Sequence, residues 1–152
     1  MTEAQPVFQI EKLYVKDLSL EIPNAPQVFV QQSEAPQIEV QISNGSSLFA
    51  DNLYEVTVTV TVTAKTGERT LFLAEATQAG IFTVRGVPAG EIDPLLGIAC
   101  PNIVYPYVRE AISDLVTRAG FPAVVLAPVA FEAIYAQRQQ QAGDAPRVEV
   151  AS

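Results

Sequence analysis

The chain has 152 residues, of which 49% are hydrophobic, and its formal net charge is −8. This length predicts a single domain with its own core, and the acidic balance argues against nucleic acid as a partner, because phosphates attract lysine and arginine. The absence of histidine and the single cysteine exclude histidine-dependent catalysis, histidine-ligated metals, cysteine zinc clusters and an internal disulfide. Signal-peptide, membrane-span and nucleotide-binding patterns are also missing. We therefore expect a cytoplasmic protein with no cofactor, no catalytic activity and no direct membrane insertion.

The first predicted strand is Phe8–Ile22. Its apolar residues change parity twice along the chain, which indicates a bulge or a strand with both faces partly covered. Near its end, Asp17 and Glu21 alternate with leucines, and successive side chains of a strand point to opposite faces. Both carboxylates are therefore expected on one side of this strand.

A proline-rich break, Pro23–Pro26, separates the first strand from the second. The connection that follows contains Phe29 and is too long for a tight hairpin, so we expect it to cross over the sheet. Gln37–Ser43 alternates apolar and polar residues, which predicts the second strand. Asn44–Ser47 then predicts a turn.

The clearest pattern in the chain is Tyr54–Thr63, in which valine alternates with threonine. Strict alternation of β-branched residues is typical of a half-buried strand. Gly67 lies in a polar turn and Thr70–Val84 follows at once, so the two segments predict an antiparallel hairpin. Gly80 predicts a bend within the second strand of this hairpin.

The strand after this turn presents two different faces. Ala74, Ala76 and Gln78 share one face, and the two small alanines would let another surface approach closely. Leu73 and Glu75 share the other face, where an apolar and a charged residue together indicate partial contact with solvent. The sequence therefore predicts one packed face and one mixed polar face.

A long helix follows the strands. Asp93 as the N-cap and Pro94 as the first helical residue predict its start, and apolar residues then recur every three or four positions as far as Arg118. Pro101 and Pro106 interrupt this pattern, so we expect either a kink or two stacked helices.

Pro128 predicts the start of a last helix. Four strands followed by two helices predict an α+β fold with a four-stranded antiparallel sheet, because the helices do not alternate with the strands. Residues 1–141 are predicted to form one domain. Residues 142–152 are predicted to form a disordered C-terminal tail, since they are polar and short of large apolar residues.

Five segments identify a family when they are taken together: FQIEKLYVKDLSLEIPNAPQVF, YEVTVTVTVTA, FLAEATQAGIF, CPNIVYPYVREAISDLVTRAGFP and LAPVAFEAIY. In order and spacing they resemble the SecB family of bacterial export chaperones, over nearly the whole chain. The resemblance implies a homotetramer assembled as a dimer of dimers. It also implies an ATP-independent cytosolic holdase that binds unfolded precursor proteins, keeps them translocation-competent and delivers them to SecA for Sec-dependent export.

The resemblance also implies roles for individual residues. The acidic face that docks SecA corresponds to Asp17, Glu21, Leu73 and Glu75. The oligomer interface corresponds to Ala74, Ala76, Gln78, Ile103, Tyr107 and Ile112. Ala74 stands where the family has cysteine, and the family's acidic tail is shortened here to a weakly charged segment.

A holdase needs extended apolar grooves that accept many sequences. The crossover after the first strand and the last helix are the elements that are free to form such a groove. The candidate groove residues are Phe29, Tyr54, Phe121, Val125, Leu126, Phe131 and Tyr135. Packing in the core is the alternative role for each of them.

Three other functions stay open at this point. A carrier of a small apolar ligand would have one enclosed pocket, whereas a holdase would have long open grooves. A purely structural oligomer would have neither kind of site. A SecB-like chaperone dedicated to a toxin–antitoxin client would keep the fold and change only the client.

Overall fold

The computed structural model describes residues 5–31 and 35–144. The strands are β1 (Val7–Glu21), β2 (Gln37–Ala50), β3 (Leu53–Thr66) and β4 (Arg69–Arg85). The α-helices are α1 (Ala89–Pro94), α2 (Cys100–Arg118) and α3 (Phe131–Asp144). The predicted α+β fold, with a four-stranded antiparallel sheet followed by helices, is confirmed. In the described part of the chain, no helix is long and apolar enough to cross a membrane.

The sheet has the order β1-β4-β3-β2, and all of its neighbouring strands are antiparallel. Because β1 and β2 are the two outer strands, the connection between them crosses over the sheet, as expected. The pairing of β1 with β4 shifts between Ile10 and Lys12 and again between Val15 and Asp17. These two irregularities confirm the bulge that the parity changes indicate.

Helix α2 covers the valine side of β3. Val56, Val58, Val60 and Val62 are fully buried there, whereas the alternating threonines of β3 are only half-buried on the opposite face. Ala74 and Ala76 of β4 lie directly opposite Val62 and Val60, and both alanines are buried. Their small side chains let α2 approach the sheet, so the predicted packed face is covered by the chain's own helix.

The predicted turn at Asn44–Ser47 is wrong, because these residues continue β2 and pair with β3. The turn lies further on, at Asp51 and Asn52, and Asn52 adopts a φ of 61°. Asparagine tolerates this left-handed conformation better than most residues, so it can reverse the chain here. The small and polar residues of this segment are typical of a turn, but pairing with the central strand β3 keeps them within β2.

The predicted start of the long helix is also wrong, since α1 begins at Ala89, after Pro88 as its N-cap. A π-helical turn, Leu95–Ala99, then joins α1 to α2, so the chain stays helical instead of forming two stacked helices. This turn lies between Pro94 and Pro101, two residues that cannot donate a backbone hydrogen bond. The wider π-helical turn lets one continuous helical segment contain both prolines.

The last helix begins at Phe131 and not at Pro128. Residues 121–130 have no regular secondary structure, and the Tyr105 hydroxyl donates to the carbonyl oxygen of Ala127 at 2.6 Å. This contact holds the segment beside α2. Helix α3 continues to Asp144, past the predicted domain boundary at residue 141, and residues 145–152 of the predicted tail lie outside the described residues.

A polar cluster joins β1 to β3 on the face of the sheet that α2 does not cover. The Tyr14 hydroxyl and the Lys16 ammonium both donate to the carboxylate of Glu55, and the two Lys16 contacts are 2.8 and 2.9 Å long. The hydrogen bonds from Lys16 and then from Tyr14 lower the pKa of Glu55. The hydrogen bond to Glu55 raises the pKa of Tyr14 to about 12.

A close approach explains Gly80, because β4 continues through it with pairing to both neighbours. A Cβ atom at this position would lie 2.8 Å from Cε1 of Phe82 and 3.1 Å from Cδ2 of Leu13.

We predict that Gly80→Ala lowers the free energy of unfolding by about 1–3 kcal/mol, since the buried Phe82 ring has little room to move. Gly90→Ala is the matched control, because a Cβ there meets nothing within 4 Å. Urea denaturation at fixed protein concentration measures both, and equal stabilities would contradict the prediction.

The polar cluster predicts a pH-dependent stability. Because the pKa of Glu55 is lowered in the folded state, its stabilising contribution is present above the unfolded pKa and is lost as pH falls through the folded pKa. Glu55→Gln should therefore lower the free energy of unfolding by up to about 1 kcal/mol at pH 7 and by less as pH falls toward 3. Urea titrations across this range test it, with Glu39→Gln on β2 as the control. A loss that is the same at every pH would contradict the assignment.

Candidate functional site: an acidic sheet face and an apolar groove

The four predicted docking residues lie together on the sheet face opposite α2. Glu21 pairs with Leu73, and the next facing pair along β1 and β4 is Ser19 with Glu75. Asp17 follows, one further step along β1. Asp17 and Glu21 are exposed, while Leu73 and Glu75 are half-buried. These positions form the acidic patch, in which three carboxylates surround one leucine.

Strand β3 completes the acidic patch with a row of threonines. The facing rows across β3, β4 and β1 are Thr59–Thr77–Asp17, Thr61–Glu75–Ser19 and Thr63–Leu73–Glu21. A shallow depression of about 180 Å³ lies over the last two rows. Such a surface suits a basic segment that also offers an apolar side chain, because opposite charges steer and orient association.

Lys16 is the cation nearest to the acidic patch in sequence, since it precedes Asp17 directly. Its ammonium group contacts both carboxylate oxygens of Glu55 on β3. Its charge is therefore paired with Glu55, and Asp17, Glu21 and Glu75 remain available to a partner. Sequence reasoning missed this pairing, because Glu55 is 39 residues away in the chain.

A second surface is an apolar groove between β2 and the segment 121–130. It has a volume of about 510 Å³. Its floor and walls are formed by Ile38, Val40, Ile42, Tyr105 and residues 123–129. Val125 is 80% exposed on its rim, and Ile38 and Val40 are each exposed by just over 40%. The groove is therefore open to solvent at these residues. Sequence analysis missed the contribution of β2, although its alternation already placed Ile38, Val40 and Ile42 on one face.

Of the seven residues predicted to line a groove, two line this one. Val125 and Leu126 line it, although Leu126 is only 6% exposed. Phe29 is half-exposed and packs on Phe121 with ring centroids 5.3 Å apart, and Phe121 packs in turn on Phe72 at 5.0 Å. This aromatic cluster ties the crossover connection to the start of segment 121–130.

The other three predicted groove residues do not line this groove, and burial in the core rules Phe131 out of any groove, whereas the assignment of Tyr54 and Tyr135 stays a prediction. Phe131 is fully buried in the core against Tyr105, with ring centroids 5.8 Å apart. Tyr54 pairs with Phe82 on the helix-covered face of the sheet. The Tyr135 hydroxyl donates to Asp93 at 2.8 Å, which fastens α3 to α1. The spacing of apolar residues in the sequence could not distinguish a residue with a structural role from one that lines a groove.

The predicted oligomer interface needs a similar correction. Ala74, Ala76 and Ile112 are at most 1% exposed, and Gln78 is 5% exposed, so none can offer more than a trace of surface to a second copy. The alanines on β4 and Ile112 on α2 belong to the chain's own core. Tyr107 is 48% exposed and Ile103 is half-buried, so these two α2 residues stay candidates for contact.

Two kinds of reactive site are missing from the part of the chain that the structure describes: a metal centre and an exposed thiol. Among the described residues, no group of three histidine, cysteine, aspartate or glutamate side chains is placed to hold a metal ion. Cys100 is fully buried in the core, and this burial raises the pKa of its thiol to about 12. A thiol with so high a pKa is a poor nucleophile at neutral pH, so Cys100 serves as a packing residue.

Known proteins resemble this chain over most of its length. The sequence pattern described as "Preprotein translocase subunit SecB" matches residues 1–142. The protein-export protein SecB of Methylobacillus flagellatus is 60% identical over 91% of this chain and 88% of that protein. The SecB of Neisseria meningitidis serogroup B is 60% identical, with 91% and 94% covered, and that of Chromobacterium violaceum is 55% identical, with 94% and 95% covered.

A solved structure shares the fold. It is a Mycobacterium tuberculosis SecB-like chaperone in complex with a ChAD peptide from an antitoxin, and it superposes with a TM-score of 0.65 over 80% of this chain and 90% of that chain. The two sequences are only 16% identical, so this likeness concerns the fold alone. The family match and the export-protein relatives extend over nearly the whole chain, and the chain therefore belongs to the SecB family of protein-export chaperones.

Proposed function

We propose that this chain is a cytoplasmic holdase that binds unfolded precursor polypeptides without nucleotide and without catalysis, and delivers them to SecA for export. The open apolar groove beside β2 is the observation that carries the client-binding part of this proposal. Membership of the SecB family supports the export role. The acidic patch offers a separate surface for SecA.

The groove suits an extended client segment. Ile38, Val40 and Ile42 occur at every second position of β2, which is the spacing of side chains on one face of a strand. Because β2 is an outer strand, the backbone groups along its outward side can pair with a client. Backbone pairing is independent of client sequence, so a groove of this kind accepts many precursors.

The openness of the groove favours a holdase over a carrier of small molecules. A carrier encloses most of its ligand's surface, whereas Val125 on the groove rim is 80% exposed. A chaperone dedicated to one toxin–antitoxin client differs from a general holdase in competition, because unrelated unfolded proteins would then fail to displace its client.

SecA docking is assigned to the acidic patch of Asp17, Glu21, Leu73 and Glu75. The three carboxylates are on neighbouring strands and Leu73 lies between them, so a basic segment with one apolar residue would complement the patch. The patch and the groove are formed by different elements of the fold. A client in the groove would therefore leave the SecA-docking surface accessible.

The proposed assembly is a homotetramer built as a dimer of dimers. Four large apolar side chains of the outer strand β1 are 40–50% exposed on the side that faces α2: Phe8, Ile10, Val15 and Leu18. Tyr107 is also half-exposed on α2. A second copy that covered these residues would bury apolar area and satisfy the free edge of β1.

The groove predicts the effect of replacing apolar rim residues. The double variant Val40→Thr, Val125→Thr exchanges a methyl for a hydroxyl group at both positions with little change of shape. We predict that it weakens binding of a permanently unfolded protein about tenfold, because apolar contact is lost at two sites. Calorimetry without nucleotide measures the affinity, and Gln41→Thr on the opposite face of β2 is the control. Unchanged affinity of the double variant would reject the groove, and a requirement for ATP would reject the holdase.

The acidic patch predicts the effect of charge reversal. Asp17→Lys, Glu21→Lys and Glu75→Lys should each weaken SecA binding at least about tenfold, since a basic partner would meet repulsion. Charges on an exposed sheet face contribute about 0–1 kcal/mol per pair to stability, so folding should hardly change for Asp17→Lys and Glu21→Lys. Glu75 is half-buried and accepts a hydrogen bond from Thr61, so urea denaturation checks the stability of Glu75→Lys. Asp51→Lys, at the β2–β3 turn, is the control for a charge reversal outside the patch. Titrations at rising salt should show weaker wild-type binding, and light scattering should show intact tetramers. Normal SecA binding by all three variants would remove the patch from the docking surface.

A further inference from the structure

Thr61 holds a particular position within the acidic patch. It lies on β3 directly opposite Glu75, and Glu75 lies opposite Ser19 on β1. The Thr61 hydroxyl donates to Oε1 of Glu75 at 2.8 Å, in a half-buried setting. Thr61 also lines the depression over Leu73 and Glu75. Glu75 is therefore tied to a neighbouring strand by its side chain as well as by the backbone ladder.

This hydrogen bond restricts a side chain that would otherwise move. A glutamate has three rotatable side-chain bonds, and ordering it on binding costs conformational entropy. The threonine donor is itself well fixed, because β-branched residues are stiff at χ1 and β3 is a central strand of the sheet. Oε1 is held by Thr61, and Oε2 is left to accept from a partner's cation.

We propose that Thr61 is a positioning residue for SecA docking, which holds the Glu75 carboxylate ready to receive a basic group of the partner. The inference rests on the docking role proposed above for the acidic patch. It extends the functional surface from β1 and β4 to β3. It also distinguishes Thr61 from the other threonines on this face of β3, which do not lie opposite a carboxylate. Thr57 lies opposite Ala79, Thr59 opposite Thr77 and Thr63 opposite Leu73.

The test compares SecA binding by four forms of the full-length chain: wild type, Thr61→Val, Thr61→Ser and Thr57→Val. We expect Thr61→Val to weaken the affinity about threefold to tenfold, because a hydrogen bond to a charged group is lost. Thr61→Ser should restore most of it by supplying the same hydroxyl. Thr57→Val should match the wild type, since it makes the same exchange on the same face outside the patch. Urea denaturation and light scattering confirm that each variant is folded and assembled.

A second comparison separates positioning from direct contact. In a Glu75→Ala background, Thr61→Val should have no further effect, because the carboxylate that Thr61 holds is gone. An equal loss in both backgrounds would overturn the inference, since Thr61 would then act without Glu75. The slope of affinity against salt should be the same for Thr61→Val and the wild type, because no charge is removed.

The outcomes also separate this inference from the proposed docking function. If Glu75→Ala, Asp17→Lys and Glu21→Lys all bind SecA as tightly as the wild type, the acidic patch itself is rejected as the docking surface. If only Glu75→Ala does so, Glu75 is removed from the docking surface and the positioning role of Thr61 is overturned with it. If Glu75→Ala weakens binding and Thr61→Val does not, the docking surface stands and only the positioning role of Thr61 is overturned.

Discussion

The contact between α2 and the valine side of β3 determines the rest of this structure. Four valines of β3 are fully buried there, and they share one core with Val104, Val108 and Ile112 of α2, which are also fully buried. Each buried aliphatic side chain contributes about 1.5–3 kcal/mol relative to an exposed one. Because side chains alternate along a strand, burying the valines of β3 turns its threonines to the opposite face. Burying Ala74 and Ala76 of β4 turns Glu75 to that same face. The face that carries the acidic patch is thus a consequence of core packing.

The same packing separates the two proposed functions in space. The acidic patch lies on the open face of the sheet, whereas the apolar groove lies along the outer strand β2, beside the segment that follows α2. The two partners need different kinds of surface, which explains this separation: a client needs apolar surface, and a basic partner needs solvated carboxylates. Glu55 pairs with Lys16, the residue directly before Asp17, so this cation does not remain unpaired beside the acidic patch.

The wall of the groove depends on contacts that tie segment 121–130 to the core. The hydrogen bond between Tyr105 and the Ala127 carbonyl holds the segment in its middle. Phe131 holds it at its end, because this side chain is fully buried at the start of α3. Aromatic contacts of Phe121 with Phe29 and Phe72 hold its beginning. The groove therefore has an ordered wall without regular secondary structure, and two of the aromatic residues that hold it, Phe72 and Phe131, are buried in the core.

The sequence by itself determined the fold class, the number of strands and which side chains of β3 share a face, because strict alternation leaves one way to bury a strand with a single apolar side. The family could also be identified from the order of its segments. The strand pairing and its register depended on tertiary structure, and these brought Thr61 to Glu75 and Lys16 to Glu55. Asn44–Ser47 joined β2 because pairing with β3 outweighed local turn composition. Phe131 and Ile112 entered the core for a related reason: an apolar residue at helical spacing can face a groove, a second copy or the sheet, and only three-dimensional packing decides among them.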